Sequence, residues 1–272
     1  MKNFYRRMRP FLGTFVEIGT FADDPLAEQA VNDAFVAIEL VHKTLGFHNA
    51  ESELSKLNSA EGQEVVLSPI SIVALRLARA LTRISDGLFN CTTGGALVRE
   101  NILPRHSQAG FLTEGMASDI HIQGRKVRLN RPVLITLDGF AKGYAVDLAI
   151  KALRKAGLDS GWVNAGGDLR VFGEIILPLQ RREADESLTD LGRFQEIAVA
   201  TSMVSEQYSP QFPGKIHGIG GVPPQVGVWT VSAPSTWLAD GLTKVACLAP
   251  EKERQKLLAK MGGTLLMPKG ME

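Results

Sequence analysis

Two lysines and a few carboxylates carry the chemistry that this chain can be expected to do. Asp240 and Lys244 stand four positions apart in Ala239-Asp240-Gly241-Leu242-Thr243-Lys244, a spacing that puts a carboxylate and an ammonium on one face of a helix. Lys142 lies in the run Leu137-Asp138-Gly139-Phe140-Ala141-Lys142-Gly143-Tyr144-Ala145-Val146-Asp147. That run leads from the alternating apolar stretch Val133-Leu134-Ile135-Thr136-Leu137, through small residues, into a helix that should end at Gly157. A cation in the first turn of a helix is unfavourable unless an anion compensates it, and the free N–H groups of that turn also seek an anion. Glycine lets a phosphate or a ring approach the main chain closely. With Asn164-Ala165-Gly166-Gly167-Asp168 following, the pattern points to phosphate or nucleotide handling. On an ordinary surface helix the Asp240–Lys244 spacing would amount to only about 0.2–0.5 kcal/mol.

The elements that must position these groups are legible in the periodicity. Residues 11–20 alternate at period two and read as a strand. Asp23-Asp24-Pro25 then starts a helix that carries Leu26, Ala30, Ala34, Ile38, Val41 and Leu45. Ser68 as N-cap with Pro69 behind it starts another, running through Val73, Leu77, Ala80, Leu81 and Ile84 to Asp86-Gly87. Residues 126–137, 161–172, 196–201 and 226–233 read as strands. Strands and helices in mixed order predict an α+β fold rather than a regular doubly wound sheet. The dinucleotide fingerprint Gly-x-Gly-x-x-Gly and the phosphate-loop Gly-Lys-Ser/Thr are both absent. Residues 174–194 read as an exposed insertion and 209–227 as a loop; there is no repeat or clear linker, so 1–272 reads as a single domain of one or two lobes.

Composition narrows the function further. With 272 residues, 44% of them hydrophobic, the chain can bury a substantial core. Thirty basic against 29 acidic residues, with no cluster of Lys, Arg and stacking aromatics, argue against a nucleic-acid partner. No apolar run approaches the roughly 20 residues that a membrane span requires. Lys2, Arg6, Arg7 and Arg9 are followed by neither an apolar signal region nor a lipobox cysteine, and Cys91 and Cys247 belong to no paired motif. These features lead to the expectation of a cytoplasmic protein, with the basic cluster a solvated end and the cysteines packing residues.

Six segments in one order resemble the ApbE family, flavin transferases that use FAD to attach FMN covalently to a threonine of a target protein. Leu12-Gly13-Thr14 is similar to the family's Met-Gly-Thr, and Ser52-Glu53-Leu54-Ser55-Lys56-Leu57-Asn58 to its Ser-Glu-x-Ser-x-x-Asn. Gly87-Leu88-Phe89-Asn90-Cys91-Thr92 is similar to its Gly-x-Phe-Asp-x-Thr, and the Lys142-Gly143 run to its Lys-Gly segment. Ala200-Thr201-Ser202 resembles its Ala-Thr-Ser, and the Asp240 segment its Ala-Asp-Ala-x-x-Thr.

The resemblance implies an ApbE-like mixed sheet and helix architecture with a flavin site between lobes. It implies FAD as substrate, an acceptor protein as partner, AMP as leaving group, and Mg²⁺ held by a carboxylate, a hydroxyl one helical turn later and a backbone carbonyl. Asp240 then matches the carboxylate and Gly139 the carbonyl, while Lys244 fills the hydroxyl position; Thr243 lies one residue early, about 100° away around a helix. Lys244 cannot ligate a metal while protonated, and its ammonium would pair with Asp240 near the pyrophosphate, supplementing or replacing the ion. Asp240, Lys142 and Lys244 are the implied catalytic set. The implied flavin contacts are Leu12, His48, Leu88, Phe89, Asn90, Thr136, Lys142, Ser202 and His217. His48 stands where relatives carry a tyrosine, Asn90 and Thr136 each replace an Asp, and His217 keeps only the histidine of a closing loop. Asp147 reads as structural. A FAD-binding protein with little turnover and a FAD pyrophosphatase are the competing readings.

Overall fold

Strands and helices follow one another in mixed order, as the sequence pattern implied. A computed structural model describes residues 3–22, 24–206 and 215–267. Its elements run β1 (Asn3–Phe11), β2 (Thr14–Ala22), α1 (Asp24–Leu45), α2 (Glu53–Asn58), β3 (Val65–Val66), α3 (Pro69–Ile84), α4 (Gly94–Arg99), β4 (Ile120–Gln123), β5 (Lys126–Leu129) and α5 (Ala141–Lys155). The second half continues with β6 (Gly161–Ala165), β7 (Asp168–Phe172), β8 (Leu177–Arg182), β9 (Leu188–Phe194), β10 (Ala198–Val204), β11 (Gly227–Ala233), α6 (Thr236–Leu248), α7 (Glu251–Lys260) and β12 (Thr264–Leu265). The main sheet orders β1-β2-β6-β7-β10-β11-β12, every neighbouring pair antiparallel.

Helices α1, α5 and α6 cover one face of this sheet. On α1, Ala27, Ala30, Val31, Ala34, Phe35, Ile38, Val41 and Leu45 are buried, the i, i+3, i+4 stripe of an amphipathic helix. Leu26, expected in that stripe, is exposed. On α3 the buried face is Ile72, Leu75, Ala78 and Leu81; of the positions expected there, Leu81 is buried and Leu77 and Ala80 half-buried, whereas Val73 and Ile84 face water. Ser68 does cap α3 in position, with Pro69 in its first turn, but its hydroxyl donates to Glu53 Oε2 at 2.8 Å instead of capping the helix.

Three expectations change. Strand β1 was not anticipated: Arg6 pairs with Glu17 at 2.6 Å, and Arg7 and Arg9 lie over the rings of Tyr5 and Phe35, so these basic residues belong to a strand rather than a loose end. Residues 126–137 form a strand only to Leu129. Beyond Arg131-Pro132, Ile135 exchanges hydrogen bonds with the Asn58 side chain (2.7 and 2.8 Å), Thr136 N donates to Cys91 O and Leu134 O accepts from Gly94 N, so an asparagine and a loop replace the ladder. Residues 174–194, expected as an exposed insertion, contain the β8–β9 hairpin; Leu177 and Leu179 pack on Trp162, Leu169, Val171 and Ile175, on the opposite side of the sheet. The expectations placed on Lys2, Asp23 and 209–214 of the loop lie outside the described residues.

Candidate active site

The two expected lysines converge on Asp240, Lys142 from the first turn of α5 and Lys244 from further along α6. Phe140 precedes α5 as its N-cap residue, fully buried, its ring against Tyr144, Trp237 and Phe89. Its side chain cannot cap a helix, and the N–H of Gly143 donates instead to Asp240 Oδ2 of α6 at 3.1 Å. The reverse also holds: Asp147 of α5 accepts from the N–H groups of Thr236 (3.0 Å) and Trp237 (2.9 Å), the first residues of α6. Each helix start is thus satisfied by a carboxylate from the other, the structural part read for Asp147. A Cβ on Gly143 would stand 2.9 Å from Asp240 Cβ and closer still to the Thr236 carbonyl, so glycine is what lets the helices approach.

Beside Asp147, three carboxylates and two ammonium groups gather around this junction. Lys142 Nζ is 3.2 Å from Asp168 Oδ2 and 3.9 Å from Asp240 Oδ2; Lys244 Nζ binds Asp240 Oδ1 and, at 3.1 Å, the Asp240 carbonyl. Asp168 and Asp240 are each 1% exposed, so the i,i+4 pair is not an ordinary surface pair. The anion that the helix start called for is supplied by the protein itself. Burial opposes the charge on Lys142, but Asp168 and then Asp240 outweigh it and hold its pKa above the ordinary lysine value. Asp240 stays below the usual carboxylate range because Lys142 and Lys244 overcome the effect of burial. Asp168 is pushed up to about 7, by burial first and by the Asp240 charge second. Apart from the nearby lysine, its Oδ2 is buried without a hydrogen-bond partner. Asp138 is exposed at the surface, yet desolvation at the mouth of the cleft holds its carboxyl above the ordinary value, with His48 and Lys142 opposing that rise.

The donors that would have to hold the Mg²⁺ implied by the resemblance are already engaged within the protein. Asp240 Oδ1 is taken by Lys244, and Oδ2 by the Gly143 N–H. Thr243 Oγ1 turns away, donating to the Asp240 carbonyl at 2.7 Å and pairing with Ser202 Oγ at 2.7 Å. A Cβ on Gly139 would lie 3.0 Å from Lys244 Cε, so the lysine stem covers that residue. The expected ligands Asp240 and Gly139 are therefore bridged by a lysine, and the set does not fit a divalent ion.

The remaining expected residues divide into two groups. Leu12, in the left-handed region (φ 56°), forms the β1–β2 turn with Gly13, and Thr14 beyond it touches Gly166 of the β6–β7 turn. Thr136 is buried and accepts from Asp138 N at 3.4 Å; Leu88 is half-buried. His48 is exposed on an open cavity of about 560 Å³ that Arg99, Asn101, Arg105 and Phe111 also line, a volume in the range of small-molecule sites. Phe89, by contrast, is core, and Asn90 spends its amide on Thr92 and the Gly115 carbonyl. His217 contacts Glu100 at 3.2 Å, beside Lys215 at 2.6 Å; with Glu114 accepting from Gly220 N, they tie the 215–222 loop to the α4 region. Burial pushes the thiols of Cys91 and Cys247 up to about 11 and about 12, as packing residues. The sequence pattern placed Asp168 only within the glycine-bearing run that points to phosphate handling, and it did not single out Glu100 or Glu114. A carboxylate directly after Gly166-Gly167, at the mouth of a hairpin, was the available signal for Asp168.

An antiparallel sheet backed by helices, with two buried ammonium–carboxylate pairs at a helix junction, describes an α+β protein built to hold charge at fixed positions. The ApbE family model matches residues 12–267, and the chain belongs to the ApbE family. It is 32% identical over 141 residues to a FAD:protein FMN transferase of Rhodobacter capsulatus (46% of this chain, 26% of that protein). It is 26% identical over 216 residues to the FAD:protein FMN transferase of Klebsiella pneumoniae (strain 342), covering 71% of this chain and 65% of that one. The matches thus span less than two thirds of either relative. Among solved structures, the apo form of Pseudomonas stutzeri flavinyl transferase ApbE superposes with a TM-score of 0.81 at 19% identity, over 99% of this chain and 93% of that one. The ApbE protein of Thermotoga maritima gives 0.81 at 22%, over 97% and 93%. Both show a shared fold. No helix among the described residues is long and apolar enough to cross a membrane.

Proposed function

We propose that this chain is a FAD:protein FMN transferase acting on a threonine of an acceptor protein. In that reaction the threonine hydroxyl loses its proton and forms a phosphoester bond with the FMN-side phosphorus. The bond from that phosphorus to the bridging oxygen breaks, and AMP leaves with the bridging oxygen. Most of the work is positioning and compensation of charge. The observation that carries the reading is the α5–α6 junction, where Lys142 and Lys244 are held by Asp168 and Asp240 in a chain whose family match runs from 12 to 267. Lys142 and Lys244 would face the pyrophosphate, Asp240 would orient both, and Leu12, His48, Leu88, Thr136 and Ser202 would line the flavin.

The test is to incubate the protein with FAD and a threonine-bearing acceptor domain, with and without Mg²⁺, and to follow acceptor mass and AMP. The expected result is an added FMN mass with matching AMP, reduced about a hundredfold or more in Asp240→Asn, a loss typical of removing an electrostatic group from a site. FMN and AMP without acceptor modification would replace this reading by a pyrophosphatase, and intact bound FAD by a binding protein.

A further inference from the structure

Lys244 runs along Gly139 with its methylenes and ends on Asp240 with its ammonium. It joins in one covalent side chain the carboxylate and the turn that a metal ion would otherwise have to bridge. Its side chain is 13% exposed, so most of it is walled in. Of the three N–H donors of an ammonium, one goes to Asp240 Oδ1 and one to the Asp240 carbonyl, leaving the third free for an oxygen of a bound phosphate. The nearby hydroxyl of Thr243 is committed to Ser202 and the Asp240 carbonyl, and so is not a ready replacement donor.

Charge leads to the same place. Two carboxylates, Asp168 and Asp240, stand against two ammonium groups, Lys142 and Lys244, so the paired charges of the cluster are close to balance. A divalent cation would make it strongly positive unless an ammonium left. Removing the Lys244 charge would restore a carboxylate excess. We propose that the Lys244 ammonium is a built-in substitute for a divalent cation at Asp240, so that the site handles its phosphate substrate with no divalent metal bound there. The phosphate substrate is taken from the FMN-transfer reading, and in that respect the inference rests on it.

The experiment measures Mn²⁺ binding by electron paramagnetic resonance and FAD binding by fluorescence, for the wild type, Lys244→Thr, Lys244→Met and Asp240→Asn. The wild type should bind no Mn²⁺ that depends on Asp240, and its FAD affinity should be indifferent to EDTA. Lys244→Thr should bind Mn²⁺ about tenfold more tightly or better, lose that site when Asp240→Asn is added, and bind FAD more weakly in EDTA than with Mn²⁺. Lys244→Met, of similar length and without charge or hydroxyl, should lose FAD affinity with or without metal; circular dichroism checks that each variant is folded. Stoichiometric Mn²⁺ on the wild type that disappears in Asp240→Asn would overturn the proposal. So would a folded Lys244→Thr variant that binds Mn²⁺ no better than the wild type. If no acceptor is modified under any condition while the Mn²⁺ pattern holds, the transferase reading fails and the built-in cation stands.

Discussion

Two buried carboxylate centres in this molecule are made of the same chemical groups and do different things. At the end of β4, Asp119 accepts from Arg131 Nε at 2.7 Å, from Arg131 Nη2 at 2.6 Å and from the Met116 N–H at 2.7 Å. Both oxygens are matched by a planar fork, and nothing is left over. At the α5–α6 junction the cations are lysines, point charges on flexible stems, and Asp168 Oδ2 keeps no hydrogen bond. The first centre is saturated and holds a turn in place. The second keeps capacity in reserve, as a site that must engage a ligand does.

That contrast can be broken at either side. The largest effect is expected from Asp240→Ala, which leaves the enclosed Lys244 ammonium without a carboxylate, leaves Lys142 with Asp168 alone and uncaps α5; about 3–5 kcal/mol of stability should go in a denaturant titration. Asp119→Ala should cost less, on the order of 1–2 kcal/mol, because Arg131 is 43% exposed and can return to water. FAD affinity measured on the same sample should stay unchanged, and a loss would end the distinction between the centres. Asp147→Ala removes the α6 cap and should cost roughly 1 kcal/mol, with a measurable weakening of FAD binding through the shared helix junction.

The smallest effect is a difference of sign in pH dependence. Arg131 holds the Asp119 carboxyl below its ordinary value, so its contribution is complete above the unfolded pKa of about 3.9 and is lost as pH falls through the folded value. Asp168 is pushed up to about 7, so the folded protein keeps a proton that the unfolded chain releases near pH 4, and stability falls as pH rises between those values. Thermal midpoints taken from pH 3 to pH 8 should show Asp168→Asn flattening the decline toward neutral pH and Asp119→Asn flattening only the acid end. Equal slopes in the two variants would refute the assignment.

The sequence disclosed those parts of the fold that rest on local signals. Gly157, with φ 89°, ends α5 as read, and Ser68-Pro69 mark the start of α3. Partners distant in sequence were not visible. The apolar alternation of 133–137 resembled a strand because its residues do alternate between core and surface, but its hydrogen bonds go to Asn58 and to 91–94. The hairpin at 174–194 was obscured because its outward positions are charged and only alternate residues, such as Leu177 and Leu179, are drawn inward. In the site, Asp240 and Lys244 could be read together because spacing along one helix is a local property, and Lys142 because it stands in the first turn of its own helix. Asp168 owes its importance to Lys142, 26 positions earlier in the chain; the local Gly166-Gly167-Asp168 pattern marks a carboxylate at a turn but not its partner.

The reciprocal caps of α5 and α6 bear on how the molecule can open. A helix ordinarily frays from its end one residue at a time, but here the first turn of either helix is fastened by a side chain rooted in the other. Gly143, Thr236 and Trp237 should therefore exchange their amide protons as one unit, at a rate set by separation of the whole pair. The site cannot breathe in part. It is either assembled or lost together with the helix contact that supports the sheet.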